Sequence, residues 1–166
     1  MTYAEAMTKY GSDKPDLRFG MEFIEMNEIV QNKGFKVFDD AELVLGICAK
    51  GAGEYTRKQL DSLTDFVKRP QIGAQGVIYC KVNADGTFKS SVDKFFNPDQ
   101  LAVWAKECKA EPGDLILVLA GNSSKVRKQM NELRLEMGSQ LGLRSGTDYK
   151  PFWVLDFPLL EWDEDS

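Results

Sequence analysis

The chain has 166 residues and a net charge of −5, with 43% hydrophobic and 28% charged residues. This composition is typical of a globular domain whose core needs no disulfide or metal to hold it together. No apolar run reaches the ~18 residues of a membrane span, and the acidic N-terminal segment predicts no secretory signal peptide. The absence of histidine excludes a Ser-His-Asp or Cys-His catalytic device, and three widely separated cysteines predict free thiols.

The chain begins with a helix signal. Thr2 and Glu5 form the pattern of a capping box, and Gly11 has the position of a left-handed helix end. Residues 12–16 form a polar loop that contains a proline.

From residue 21 onward, apolar periodicity and turn residues predict alternating strands and helices. We expect extended segments at 21–24, 35–38, 42–48, 76–82, 87–92, 115–120 and 152–157. We expect helices at 27–33, 56–68, 98–108 and, capped by Ser123, from there to about 142.

The order of elements from residue 42 is strand, helix, strand, strand, helix, strand, helix. This order predicts an α+β fold with two layers, in which helices cover one face of a mostly antiparallel sheet. The arrangement is the split βαβ type, ferredoxin-like or DCoH-like.

Few residues carry a chemical signal. The turn 51–53 reads Gly-Ala-Gly before a helix, so it is either an anion cradle or a plain turn. Lys50, Arg57 and Lys58, with Lys68 and Arg69 further on, either face a phosphate backbone or are simply solvated. The acidic tail at 161–165 either binds a hard cation or is solvated. These residues alone predict no self-contained active site.

Several motifs carry a family resemblance. Residues 2–7 read TYAEAM, residues 10–20 read YGSDKPDLRFG and residues 153–162 read WVLDFPLLEW. These motifs resemble the catalytic domain of the bacterial-type aspartyl-tRNA synthetase on either side of an insertion. Stretches within 50–58, 73–77, 112–114, 120–121, 131–134 and 141–143 resemble the GAD insertion domain of that family.

The resemblance implies a division of the chain and a role for it. Residues 1–20 would be a catalytic-domain flank, 21–146 the GAD insertion domain, and 147–166 the re-entry strand with its acidic tail. The chain would be a fragment, inactive by itself, of an enzyme that attaches L-aspartate to tRNA. The alternative is a tRNA-directed binding module of a tRNA-dependent amidotransferase subunit, but the two flanks favour the synthetase.

The resemblance also implies ligands and partners. The full-length enzyme would use ATP and Mg²⁺, which Glu161 and, as a weaker candidate, Asp156 would contact; the fragment alone would hold no cofactor. Lys50, Arg57 and Lys58 are candidates to face tRNA(Asp). We expect a cytoplasmic enzyme that forms a homodimer, and we expect the two ends of the fragment to lie side by side, as the ends of inserted domains do. In the isolated fragment, residues 12–18 and 161–166 would be mobile, because their packing partners would be missing.

Overall fold

The computed structural model describes residues 1–144 and 146–160. Within them the chain forms, in order, α1 (Tyr3–Tyr10), β1 (Ile24–Glu25), α2 (Asn27–Val30), α3 (Lys36–Asp39), β2 (Leu43–Ala49), α4 (Arg57–Val67), β3 (Ile78–Val82), β4 (Phe88–Ser90), α5 (Pro98–Glu107), β5 (Leu115–Gly121) and α6 (Ser123–Gln140). None of the helices in this part of the chain combines the length and the apolar character needed to cross a bilayer.

The five strands form one antiparallel sheet in the order β1-β2-β5-β3-β4. Its centre is the pairing of β2 with β5, which runs from Leu43 opposite Gly121 to Ala49 opposite Leu115. Because β5 is antiparallel to both β2 and β3, these two strands run in the same direction. Helix α4 connects them while β5 lies between them, which is the predicted split βαβ unit. The α+β class and the antiparallel sheet are confirmed.

Helices cover both faces of this sheet. Helices α4 and α6 pack on the face that carries Leu45 and Ile47, and α5 with the short α2 and α3 packs on the face that carries Val44 and Cys48. The predicted placement of helices on one face therefore does not hold. The physical reason is that β2 and β5 are apolar at consecutive positions, so both faces of these strands require cover.

Most of the predicted helix starts are confirmed by capping hydrogen bonds. Thr2 and Glu5 form both bonds of a capping box at α1, and Gly11 ends that helix with φ +68°. Helices α4 and α5 begin with the same two-bond arrangement. Helix α6 begins one residue earlier than predicted, since the Asn122 side chain accepts from the Lys125 N–H and Ser123 is the first helical residue.

Two predicted strands are absent from the described residues. Residues 35–38 contribute instead to α3, because Phe35 and Phe38 lie one helical turn apart and pack edge to face at 4.9 Å. Residues 152–157 form only an isolated parallel bridge, between Leu155 and Thr2. None of the five described strands pairs with this segment, and Leu155 is 58% exposed.

Candidate functional site

The Gly-Ala-Gly turn after β2 is a packing feature. The Gly51 N–H donates to Asp114 Oδ1 at 2.9 Å, and the Gly53 N–H donates to the Gly113 carbonyl at 2.7 Å. The Ala52 N–H bonds to the end of β2. A Cβ on Gly53 would lie 2.7 Å from the Gly113 carbonyl carbon. Since the turn already uses its three N–H groups internally, the structure favours the plain turn over the anion cradle.

Lys50 has a structural partner beside this turn. Its Nζ lies 2.9 Å from Asp114 Oδ2 and also donates to the Lys109 carbonyl. Burial alone would raise the pKa of Asp114, but the Glu111 N–H, the Lys50 ammonium and the Gly51 N–H together lower it below its usual value. The hydrogen bond between Lys50 and the Asp114 carboxylate raises the pKa of Lys50. The charge of Lys50 is therefore compensated within the fold.

The other basic residues of this region are spread along α4. Arg57 and Lys58 lie on its first turn, where the Arg57 side chain is 92% exposed and its Nε is 3.9 Å from Asp61. Lys68 and Arg69 follow the last turn. Arg57 and Lys68 are eleven positions apart along the helix, which corresponds to about 16 Å along its axis. The structure does not bring the predicted basic residues into one cluster.

Arg134 is a buried residue that the sequence pattern did not single out as functional. It is fully buried on α6, and its Nη2 and Nε groups donate to main-chain carbonyls at 2.8–3.1 Å. These carbonyls belong to Asp16, Phe19, Gly20 and Met21. The guanidinium also stacks on the rings of Tyr10 and Phe19 at 4.7 and 4.2 Å. Burial lowers the pKa of Arg134 to about 10.

Further contacts hold the same loop together and fix it to α6 and to the residues that follow this helix. Arg144 Nε lies 3.2 Å from Asp16 Oδ2, and Arg18 Nη2 lies 2.7 Å from the same oxygen. The hydrogen bonds from Arg18, the strongest influence, and from Arg144 keep the pKa of Asp16 far below its usual range. Phe19 packs against Gly138, where a Cβ would come within 2.6 Å of the ring. Asp16, within the loop at 12–18 that we expected to be mobile, thus has partners inside the chain.

The two flanks of the chain meet, as predicted. Leu155 accepts a hydrogen bond from the Tyr3 N–H at 2.7 Å and donates to the Met1 carbonyl at 3.0 Å. The Met1 amino group donates to the Trp153 carbonyl, and the rings of Tyr3 and Phe157 are 4.9 Å apart. The N-terminal helix and the last described segment thus form one small unit beside α6.

This unit presents apolar side chains to solvent. Trp153 is 84%, Leu159 99% and Leu160 90% exposed. Asp156 is exposed and adopts φ +58°. The predicted site residue Glu161 lies outside the described residues. The exposed apolar residues form no enclosed core, so this surface is typical of one that another part of a protein covers.

The three cysteines take no part in a site. Cys48, Cys80 and Cys108 are buried and unpaired, and burial raises the pKa of each thiol to about 12. Within residues 1–144 and 146–160 no group of three or more Cys, Asp or Glu side chains could hold a metal ion.

Two adjoining clefts lie along α6. The first, of about 450 Å³, lies between the start of α6, helix α3 and the loop after α4; the second, of about 460 Å³, lies between Gly11, that loop and the middle of α6. Gln129 lines both clefts, and the loop supplies residues 73–75 to the first and 71–72 to the second. The two clefts are therefore neighbours on either side of Gln129, and we call them together the α6 groove.

Comparison with known proteins supports the resemblance seen in the motifs. Aspartate–tRNA ligases from Porphyromonas gingivalis, Bacteroides thetaiotaomicron and Flavobacterium psychrophilum are 58%, 59% and 55% identical to the chain. Each match covers the whole chain but only 28% of the relative's length. The predicted similarity to this synthetase family, over the flanks as well as the middle, is confirmed.

A family model described as the GAD domain matches residues 36–130. This match begins at α3, includes β2 to β5 with the helices between them, and ends within α6, so it contains four of the five described strands and part of the helical cover on each face. On this match the chain belongs to the GAD domain family.

Proposed function

We propose that the chain is the accessory insertion module of an ATP-dependent ligase that attaches L-aspartate to tRNA. The module acts as part of a longer polypeptide and has no ligase activity alone. The observation that carries this proposal is the match of the entire chain, at 55–59% identity, to ligases of which it spans 28%. A binding module shared with other enzymes would match over the GAD domain without the two flanks.

The surface formed by the flanks also supports this role. Residues 1–3 and 153–157 bond to each other, and the apolar side chains beside them are exposed. Burying a large apolar side chain is worth about 1.5–3 kcal/mol, so a surface with several of them gains from being covered. In the proposed ligase the catalytic domain covers it.

Glu161 is the residue of the chain that we propose to contact ATP and Mg²⁺, with Asp156 as the weaker candidate. Carboxylate oxygens are the ligands that Mg²⁺ prefers when it bridges phosphates. Because the described residues contain no cluster of metal ligands, most ligands would come from other parts of the enzyme. Mg²⁺ there would neutralise charge that develops on the phosphates during adenylate formation.

Other parts of the proposal concern partners. All three members of the predicted tRNA-facing set are exposed, but Lys50 is already paired with Asp114, which leaves Arg57 and Lys58 as the better candidates. We propose that tRNA(Asp) is the RNA substrate and that the full-length enzyme is a cytoplasmic homodimer.

A segment exchange tests the proposal. The corresponding 28% of the Porphyromonas gingivalis ligase is replaced by this chain, and aspartate-dependent pyrophosphate exchange and tRNA charging are measured. Both activities should stay within about 3-fold of the parent enzyme, and the 166-residue chain alone should show neither. A chimera that folds with native secondary structure and melts cooperatively, yet lacks both activities, would contradict the proposal, as would turnover by the chain alone.

A further inference from the structure

Helix α6 carries two stripes of residues that face different parts of the chain. One stripe is buried in the core against the sheet and consists of Val126, Met130, Leu133 and Met137. The other follows it by one position along the helix and consists of Arg127, Asn131, Arg134 and Gly138. Both stripes have the spacing i, i+4, i+7, i+11, which places residues on one side of a helix. We call the second set the docking stripe.

The docking stripe contacts the N-terminal segment of the chain along most of its length. Arg127 donates to the Thr8 carbonyl, and a Cβ on Gly11 would overlap the Arg127 carbonyl oxygen. Two turns further on, the Phe19 ring lies so close to Gly138 that a Cβ there would come within 2.6 Å of it. Because main-chain atoms approach each other directly at Gly11, the segment cannot slide along α6 without losing these contacts.

Arg134 holds the loop at 16–21 most firmly. Its buried guanidinium donates to four main-chain carbonyls of this loop at 2.8–3.1 Å. A guanidinium is a planar, rigid fork of donors, so these bonds fix the orientation of the loop as well as its position. The match to the GAD domain ends at Met130, and α6 continues without interruption from there to Arg134. One helix therefore connects the matched domain to the loop.

The same N-terminal loop forms one wall of two clefts between the flanks of the chain. The larger cleft, of about 420 Å³, has Asp13 and Lys14 on one wall and residues within 150–157 on the other. The smaller, of about 290 Å³, lies between residues 15–18 and residues within 146–150. The second wall is bonded to the start of α1 through residues 153–155. The separation of the two walls therefore depends on where Arg134 holds the loop.

We propose that Arg134 is a positioning residue of the ligase, which holds the loop at 16–21 and with it one wall of these clefts at a fixed place on α6. This assignment rests on the proposed function, which makes both flanks parts of a catalytic domain. Arg134 is fully buried, so it touches no substrate itself and acts through the loop. The competing interpretation is that Arg134 only stabilises the fold, and the test must separate these two roles.

The test starts from the exchange of this chain into the Porphyromonas gingivalis ligase and compares three variants with that parent. Arg134→Met removes the donors to the loop carbonyls. Gly138→Ala keeps Arg134 but displaces the Phe19 ring, while alanine favours the helix over glycine. The matched control is Met130→Ala, which leaves a cavity on the sheet-facing stripe of the same helix and changes nothing at the loop.

The kcat of pyrophosphate exchange and the melting temperature are measured for each variant. A displacement of about 1 Å can cost about 100-fold in rate, so Arg134→Met and Gly138→Ala should each lower kcat by at least about tenfold. Met130→Ala should keep kcat within about twofold of the parent, although its melting temperature should fall further than that of Gly138→Ala. A purely structural role predicts the reverse order, in which kcat follows the melting temperature.

A distance measurement on the 166-residue chain reports the loop directly. Spin labels are attached at Gly20→Cys, where a Cβ meets nothing within 4 Å, and at Lys128→Cys, which is exposed on α6. The three native thiols are buried and are not labelled. Double electron–electron resonance should give one narrow distance in the labelled chain and in its Met130→Ala variant. With Arg134→Met or Gly138→Ala, the distance should shift or broaden.

Three results would overturn the inference: an unchanged distance in both loop variants, a changed distance with parental kcat in the chimera, or an equal loss of kcat in the Met130 control. A parent chimera that folds without activity would instead overturn the proposed function and, with it, the role of Arg134 in the ligase. In that case the distances would still decide whether α6 positions the loop.

Discussion

Replacing Arg134 by methionine should release the loop at 16–21 from α6. Methionine keeps much of the length and the apolar packing against Tyr10 and Phe19 but removes every hydrogen-bond donor of the guanidinium. The loop carbonyls that Arg134 binds are partly or fully buried. In the variant, water cannot reach all of them without local opening.

The expected cost follows from the number of bonds. Nη2 carries two hydrogens and Nε carries one, so the four carbonyl contacts share three donors. An acceptor left without a donor in a buried position costs about 1–3 kcal/mol. Three acceptors would lose their donors, and this cost is partly offset because the variant no longer buries a cation. Together these two effects should lower the free energy of unfolding by about 3–5 kcal/mol. This is a large fraction of the ~5–15 kcal/mol typical of a domain.

Urea unfolding of the 166-residue chain measures this loss, and amide hydrogen exchange at residues 16–21 locates it. Arg127→Met is the matched control, because Arg127 is partly exposed and makes only an ion pair and one carbonyl bond. It should cost about 1 kcal/mol and leave exchange at 16–21 unchanged. A cost below 1 kcal/mol for Arg134→Met, with normal protection of the loop, would refute the reasoning.

Four more outcomes are expected. Gly53→Ala should lower the free energy of unfolding by about 1–3 kcal/mol and with it the melting temperature, because its Cβ would lie 2.7 Å from the Gly113 carbonyl carbon. The control Gly121→Ala, whose Cβ would meet nothing within 4 Å, should be nearly neutral. The pKa of Asp114 is lower in the folded chain than in the unfolded chain, so its carboxylate stabilises the fold above about pH 4 and this stabilisation is lost as the pH falls. In urea unfolding, Asp114→Asn should therefore lower the free energy of unfolding by about 1–2 kcal/mol at pH 6 and by less at pH 3. The three buried thiols, each with a pKa of about 12, should not react with Ellman's reagent at pH 8 until urea unfolds the chain. In the full-length ligase, Glu161→Gln should slow pyrophosphate exchange by roughly 100-fold, for a loss of ~3 kcal/mol of metal-mediated stabilisation.

Each of these outcomes has a contradicting result. An unchanged melting temperature for the Gly53 variant would show that the turn can move away from its neighbour. An equal loss for Asp114→Asn at both pH values would mean that the carboxylate charge is not what stabilises the turn. Rapid labelling of a thiol in native buffer would contradict its burial. Near-normal pyrophosphate exchange by the Glu161 variant would favour the alternative, that this carboxylate contacts neither ATP nor Mg²⁺.

The sequence was most informative where local chemistry decides the structure. The pairs Thr2 with Glu5 and Thr56 with Gln59, and the Asn97-Pro98 start of α5, predicted helix starts because capping bonds span only three residues. Continuous apolar runs located β2 and β5. The same runs also indicate two buried faces, and helices on one face alone would leave the other face of these strands uncovered.

Features that depend on distant contacts were missed. Phe35 and Phe38 fit a short strand or a helical turn equally well, and only packing against Phe96 and Trp104 selects the helix. Arg134 lies in the apolar stripe of α6, four residues after Met130, and this position was a sign of burial. Its partners are more than 110 residues away in sequence, so no local pattern could identify them. Lys125 and Lys128 likewise have the spacing of any solvated helix face. Only the position of the loop at 71–75 shows that they line clefts.

The bridge between residues 1–3 and 153–155 is parallel, and this direction has a mechanical consequence. When an antiparallel pair is pulled apart from its adjacent ends, its hydrogen bonds open one after another. Tension applied to this chain through both of its ends instead loads the bonds of Met1, Tyr3 and Leu155 in shear, so they must break together. Such a connection is stiff, and it passes force to α1 and then, through Arg127 and Thr8, to α6. In the proposed ligase, relative motion of the catalytic-domain segments on either side of this chain would therefore reach α6 first.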